Sequence, residues 1–152
     1  MKHLNSAGAA LLLGLGMAAT AGAEDMLTQK TIGLDLARDI ANTAVMDCRE
    51  KGYQVSAVVV DRNGNLRAAL RDDLAPRFTL QISEEKANAV IMGGVDTATL
   101  IQNRSDIAQE LNHVDGLIMM RGGVEIRAGG SLIGAVGVSG APGGDIDEAC
   151  AA

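Results

Sequence analysis

The sequence predicts one α/β domain: a five-stranded antiparallel sheet flanked by helices, in the order α-β-β-α-α-β-β-β-α. Three observations carry this expectation. Apolar residues fill 47% of 152 positions, enough for a real core and too many for a disordered chain. Turn signals at Asn63-Gly64 and Gly129-Gly130 stand between apolar runs, as in antiparallel hairpins. The repeated strand–helix crossovers of a parallel dinucleotide-binding sheet are not evident.

Met1-Lys2-His3 opens the chain with positive charge, and an apolar, small-residue run follows over 7–19. It ends in Ala21-Gly22-Ala23 before Glu24-Asp25. A charged start, an apolar middle and an A-x-A end predict a cleaved signal peptide over 1–23. The competing reading, a membrane anchor, is disfavoured by a short, glycine-broken apolar segment with acids directly after it. No Cys sits at the cleavage point, which excludes lipidation there. The domain would then span 24–152 and be periplasmic or secreted, with His113 as its single histidine. Cys48 and Cys150 admit one intramolecular pairing, which an oxidising compartment permits; two separate thiols are the alternative.

Thr31–Lys51 reads as a helix, because Ala37, Ile40, Ala41, Ala44, Val45 and Cys48 recur at three- and four-residue spacing. Val55–Val60 is a nearly continuous β-branched run, predicting a central strand covered on both faces. Asp61 to Asn65 makes the turn and Leu66–Arg71 the return strand. Asp72 to Pro76 is a loop. Thr79–Met92 is the next helix, stopped by Gly93-Gly94. A short helical region follows, split between Thr97–Gln102, with Asp96 as cap, and Ser105–Leu111. Leu117–Met120, Val124–Arg127 and Ser131–Val138 complete the strands, and a terminal helix begins at Asp145 or Asp147.

Composition limits the chemistry. Tyr53 and Phe78 are the only aromatic residues, so base stacking has little to work with. Nineteen acidic against thirteen basic side chains give −6, the wrong sign for a phosphate-backbone binder. The glycine-rich segments lack the ending of a phosphate loop and do not match G-x-G-x-x-G between strand and helix. No Ser/His/Asp order stands in a recognisable nucleophile setting.

Arg71, Arg77, Lys86 and Arg121 could together receive a carboxylate, such as a haem propionate or a small organic acid. The competing reading is separate solvated side chains, with a salt bridge from Lys86 to Glu84, Glu85 or Asp72. His113 is the one candidate metal ligand, as an axial group for iron; the bland alternative is a surface histidine. Met119 and Met120 read as strand core.

The run Val58 to Asn65 followed by Arg71-Asp72-Asp73, then Glu85-Lys86-Ala87, Gly122-Gly123-Val124, Leu132 to Gly140 and Asp147 to Ala151, resembles the GlcG/HbpS haem-binding-like family, which includes the C-terminal domain of the PduO proteins. The resemblance spans about 28–151. It implies a profilin-like α/β/α domain that dimerises and assembles further, with haem binding in some members and haem degradation or redox sensing tied to others. Members that hold haem through a histidine of the first helix find no counterpart here, since 34–48 contains none. Other axial candidates are a methionine, a tyrosine or a hydroxyl.

The sequence therefore predicts first a periplasmic or secreted small-molecule-binding protein, with haem or another small anion in a basic pocket. An enzyme acting on haem or a small organic acid is the alternative, and ranks lower because no acid–base pair declares itself. A structural or regulatory homo-oligomer is the third reading. No nucleic acid and, after cleavage, no membrane is expected as partner.

Overall fold

A computed structural model describes residues 26–152; the predicted signal peptide over 1–23 lies outside the described residues. The elements are α1 (Leu34–Glu50), β1 (Ser56–Asp61), β2 (Leu66–Arg71), α2 (Phe78–Gly93), α3 (Thr97–Asn103), α4 (Ala108–Leu111), β3 (Gly123–Ala128), β4 (Ser131–Ser139) and α5 (Gly144–Ala151). The four strands form one antiparallel sheet in the order β2-β1-β4-β3.

The apolar stripe of α1 packs as its spacing predicts, with Ala37, Ala41, Ala44, Val45 and Cys48 all buried. The helix starts later than Thr31, because Ile32 is held extended by its N–H bond to the carbonyl of Ile133 at 3.0 Å. β1 is buried at all six positions. Val59 belongs to the core beneath α1 and α5, and Val58 and Val60 to the core beneath α2. The β1–β2 turn closes on Asp61, whose carboxylate accepts the N–H groups of Asn63 and Asn65 at 2.8 and 3.0 Å. Gly64 takes φ 81° there, a conformation suited to glycine.

The predicted five-stranded, profilin-like sheet is corrected to an open, four-stranded one. Leu117–Met120 is not a strand. Its backbone is satisfied locally: the N–H of Leu117 bonds to the carbonyl of Val114, and that of Met119 to Oδ1 of Asn112. The edge it would have joined is already occupied. Thr97 Oγ1 accepts the N–H of Gly123 at 3.0 Å, and Asp96 Oδ1 accepts that of Glu125 at 2.8 Å. A four-residue apolar run between glycines cannot by itself be told from a buried loop.

Helix α2 lies almost in contact with the sheet backbone. A Cβ on Gly137 would stand 1.9 Å from the carbonyl oxygen of Ser83, and one on Gly123 2.5 Å from that of Lys86. Ser83 Oγ donates to the carbonyl of Ser56 at 2.9 Å across this contact. Helix α5 is fastened to both layers. Its Cys150 is bridged to Cys48 of α1, with Cα atoms 5.4 Å apart at a sequence separation of 102. The chain-entropy model assigns a loop of that length about 4–5 kcal/mol. Its Asp147 meets Lys86 of α2 in the interior.

Arg49, at the end of α1, holds the buried carboxylate of Asp72 through two nitrogens, Nε at 3.0 Å and Nη2. That hydrogen bond pulls the Asp72 carboxyl below its ordinary range, against burial, which pushes it up. At Asp61 burial likewise pushes up, but the turn N–H groups outweigh it and the carboxyl is lowered.

Two predictions follow from this packing. Gly137→Ala should lower unfolding stability by at least the usual overpacking cost, about 1–3 kcal/mol, because backbone opposes the new methyl; chemical denaturation measures it. Both lowered carboxyls contribute stability that is present above their unfolded pKa of about 4 and lost as pH falls through the lower folded value. The denaturation midpoint should therefore drop in the acid range, and Arg49→Gln should flatten that drop without abolishing it, since Asp61 remains.

Candidate functional site

Nine arginines lie in the described residues, and five are engaged in ion pairs: Arg38, Arg49, Arg104, Arg121 and Arg127. Arg62, Arg67, Arg71 and Arg77 form none among the described residues. All four fall on one stretch, the β1–β2 turn, the edge strand β2 and the entry to α2. Arg67 Nε is buried without a hydrogen-bond partner.

A groove of about 330 Å³ runs beside this stretch, between β2 and the first turns of α2. Val58, Leu66, Ala69 and Leu80 give it an apolar floor, Arg77 and Phe78 stand at its wall, and Gln81 and Glu84 of α2 complete the lining. The sequence builds it directly. Pairing places Ala69 opposite Val58, and a bulge at Val59/Val60 brings Leu66 opposite Val60, so both turn to the α2 side. The α2 helix covers β1, β4 and β3 more fully than β2, and Leu66 and Phe78 stay exposed. The Arg77 guanidinium lies 4.0 Å over the Phe78 ring. Arg71, at the end of β2, donates to the carbonyl of Ala75 and so fastens the loop from which Arg77 follows. No acidic side chain occupies the first turn of α2, which leaves its N-terminus favourable to an anion.

The other predicted site residues lie elsewhere. Lys86 is fully buried, its Nζ 2.8 Å from Asp147 Oδ2 and 2.9 Å from the carbonyl of Val138. Its partner is Asp147, not Glu84, Glu85 or Asp72. Arg121 pairs with Glu148 at 3.2 Å, which holds its guanidinium in the charged form. His113 stands exposed in the turn after α4. Met119 and Met120 lie on the loop before β3, with Met120 exposed. Of the five residues, Arg77 alone lines the groove, and Arg71 stands at the end of the strand that borders it, bonded to the Ala75 carbonyl. Arg62, Arg67, Leu66 and Phe78 are the neighbours that sequence reasoning passed over. Four arginines within sixteen positions were the available signal, and the exposure of the second aromatic residue was not readable.

A larger groove of about 440 Å³ lies on the opposite face, between α1, β3 and the end of α5. Leu36, Ile40, Val124 and Ile126 line it with Asp39 and Glu125. Neither groove has a His, Met or Tyr in its lining, and the Cys150 that reaches the larger one is in the disulfide. The residues present therefore offer no His, Met or Tyr axial ligand for haem in either, and the one hydroxyl is that of Thr43 in the larger groove. Among the described residues no three His, Cys, Asp or Glu side chains are grouped to hold a metal ion. No described helix is long and apolar enough to cross a membrane.

Comparison with known proteins agrees with the fold. Protein GlcG of Escherichia coli strain K12 is 31% identical over 115 residues, 75% of this chain and 85% of GlcG. A double mutant of Streptomyces reticuli HbpS superposes with a TM-score of 0.79 at 31% identity, covering 91% of this chain and 93% of HbpS. PduOC, solved as a complex with haem, shares the fold at 20% identity and a TM-score of 0.69, over 80% of this chain and 90% of PduOC. The family described as "Haem degrading protein HbpS-like" matches residues 32–152, and the chain belongs to that family.

Proposed function

We propose that this protein binds an apolar small molecule carrying carboxylate groups, without turning it over, in the groove between β2 and α2. The observation that carries this reading is that the four arginines without an ion pair among the described residues lie on the one stretch, 62–77, that borders this groove, with Arg77 in its lining. Arg77 and Arg71 meet the carboxylate; Val58, Leu66, Ala69 and Leu80 take the apolar body. Haem belongs to this ligand class through its propionates, and the family description and the PduOC complex make it the first ligand to try.

Haemin titration followed by absorption tests this. The expected result is a saturable Soret change whose Kd rises about tenfold in Arg77→Ala and further when Arg71→Ala is added, while His113→Ala leaves it unchanged. A haemin Kd untouched by the double arginine variant would overturn the site. Loss of the change in His113→Ala would make the histidine a ligand. No saturable change with haemin or with a long-chain fatty acid would overturn the function.

The same reading places the mature domain, residues 24–152, in the periplasm or outside the cell as a homodimer or larger homo-oligomer. The leader pattern of 1–23 and the Cys48–Cys150 bridge support the location. Exposed Leu34, Leu74 and Met92 offer apolar surface for assembly. Native mass spectrometry of protein recovered from the producing cell checks both. It should show chains lacking residues 1–23 and associated in twos or more; an uncleaved or monomeric species would count against the corresponding statement.

A further inference from the structure

We propose that the outer edge of β2 is a docking site for an extended, acidic segment of another protein, which adds a strand to the sheet beyond β2. The two edges of the sheet are unlike. Thr97 and Asp96 take N–H groups of β3 and cover that side. Among the described residues nothing bonds to the backbone of β2 on its outer side.

The register identifies the open groups. The N–H of Asp72 bonds to the carbonyl of Val55 at 2.9 Å, which sets the phase of the ladder. Bonded and non-bonded pairs alternate along an antiparallel ladder. Leu70, opposite Ala57, and Ala68, opposite Val59, therefore turn their N–H and C=O groups toward β1. Those of Ala69 and Arg71 turn outward, at two exposed residues. Such a row accepts an extended chain by main-chain hydrogen bonds.

Charge selects the chain. Arg67 and Arg71 lie in β2, Arg62 in the turn before it and Arg77 in the loop after it, and none forms an ion pair among the described residues. Arg67 is the extra residue of the bulge, and its buried Nε has no hydrogen-bond partner. The acids nearby are committed elsewhere. Asp61 accepts the turn N–H groups, Asp72 is held by Arg49, and Asp73 stands 4.0 Å from the same guanidinium. On α2, Glu85 accepts from Gln81, and Glu84 lines the groove. Opposite charges attract across a strand pair and like charges repel. A second copy of β2 would bring two more arginines to an edge that already carries two, so self-pairing is the poorer match. A segment alternating acidic and apolar residues fits both faces. Its acids share the α2 side with Arg71, and its apolar residues fall beside Ala68 and Leu70, which pack against the α1 core.

Blocked hexapeptides test this on the intact protein: one alternating glutamate and valine, its lysine–valine counterpart, and the glutamate peptide N-methylated at every amide. The first should bind saturably and slow hydrogen exchange at the amides of Ala69 and Arg71. Its Kd should be about tenfold below that of either other peptide. Arg67→Glu should reverse the preference between the glutamate and lysine peptides. Equal affinity for the N-methylated peptide, or binding that leaves exchange at Ala69 and Arg71 unchanged, would reduce the interaction to charge alone and overturn the added strand. Equal affinity for the lysine peptide would overturn the charge selection. Slowed exchange at the same amides that grows with protein concentration and no peptide would give the edge to a second copy instead. Exchange at these two amides reads the edge and haemin absorption reads the groove, so each proposal stands or falls without the other.

Discussion

The ammonium group of Lys86 is the point on which the rest of the structure is organised. A lysine taken wholly out of water is costly unless its charge is matched and its protons are used. Here Asp147 matches the charge and the Val138 carbonyl takes a proton. The other oxygen of Asp147 accepts the N–H of Ala141, so the pair also fixes the turn that leads into α5. There is little room around it: a Cβ on Gly122 would fall 2.9 Å from the lysine nitrogen and 2.8 Å from Cβ of Asp147. One interior ion pair thereby dictates the glycine before β3, the path after β4 and the seat of the terminal helix. With α5 seated, Cys150 comes within bridging distance of Cys48, and the disulfide fastens an arrangement the ion pair has already set.

Much of this was legible in the sequence, and the exceptions have physical causes. The α1 stripe, the buried β1 run and the Asn63-Gly64 turn each follow from local pattern, and each is found. The resemblance placed the chain in its family. Leu117–Met120 has the composition of a strand, while what decides the matter is a hydroxyl and a carboxylate some twenty residues earlier that claim N–H groups of β3. Lys86 read as a candidate anion receiver because a lysine in a partly apolar helix looks available. Its partner lies 61 residues away, a separation no local pattern reports. Arg71 and Arg77 stand at the two ends of one loop, from β2 into α2, and sequence proximity already hinted at it. The grouping of Lys86, His113 and Arg121 with them required a convergence that the packing does not provide.

The two faces of the sheet differ in electrostatic character. On the α2 side, at β2, arginines that form no ion pair among the described residues border an apolar floor, with Glu84 in the same lining. On the α1 side, at β3, acids line an apolar floor and arginines are drawn into pairs. A net charge of −6 conceals this separation. Apolar area supplies attraction in either groove, and the charges at its border decide which molecule stays.

The edges of the sheet are as unequal as its faces. Asp96 and Thr97 occupy the outward N–H groups of β3, whereas among the described residues no backbone group of β2 bonds beyond the β1 ladder. A sheet with two free margins can stack neighbour upon neighbour without limit. A sheet with one margin sealed can accept a strand on a single side. If two such molecules met edge to edge, each would use its only opening, and growth would end at the pair. The start of α3, with Asp96 before it, therefore acts as a terminator: it costs the fold a fifth strand and removes the geometry from which a fibre could be built.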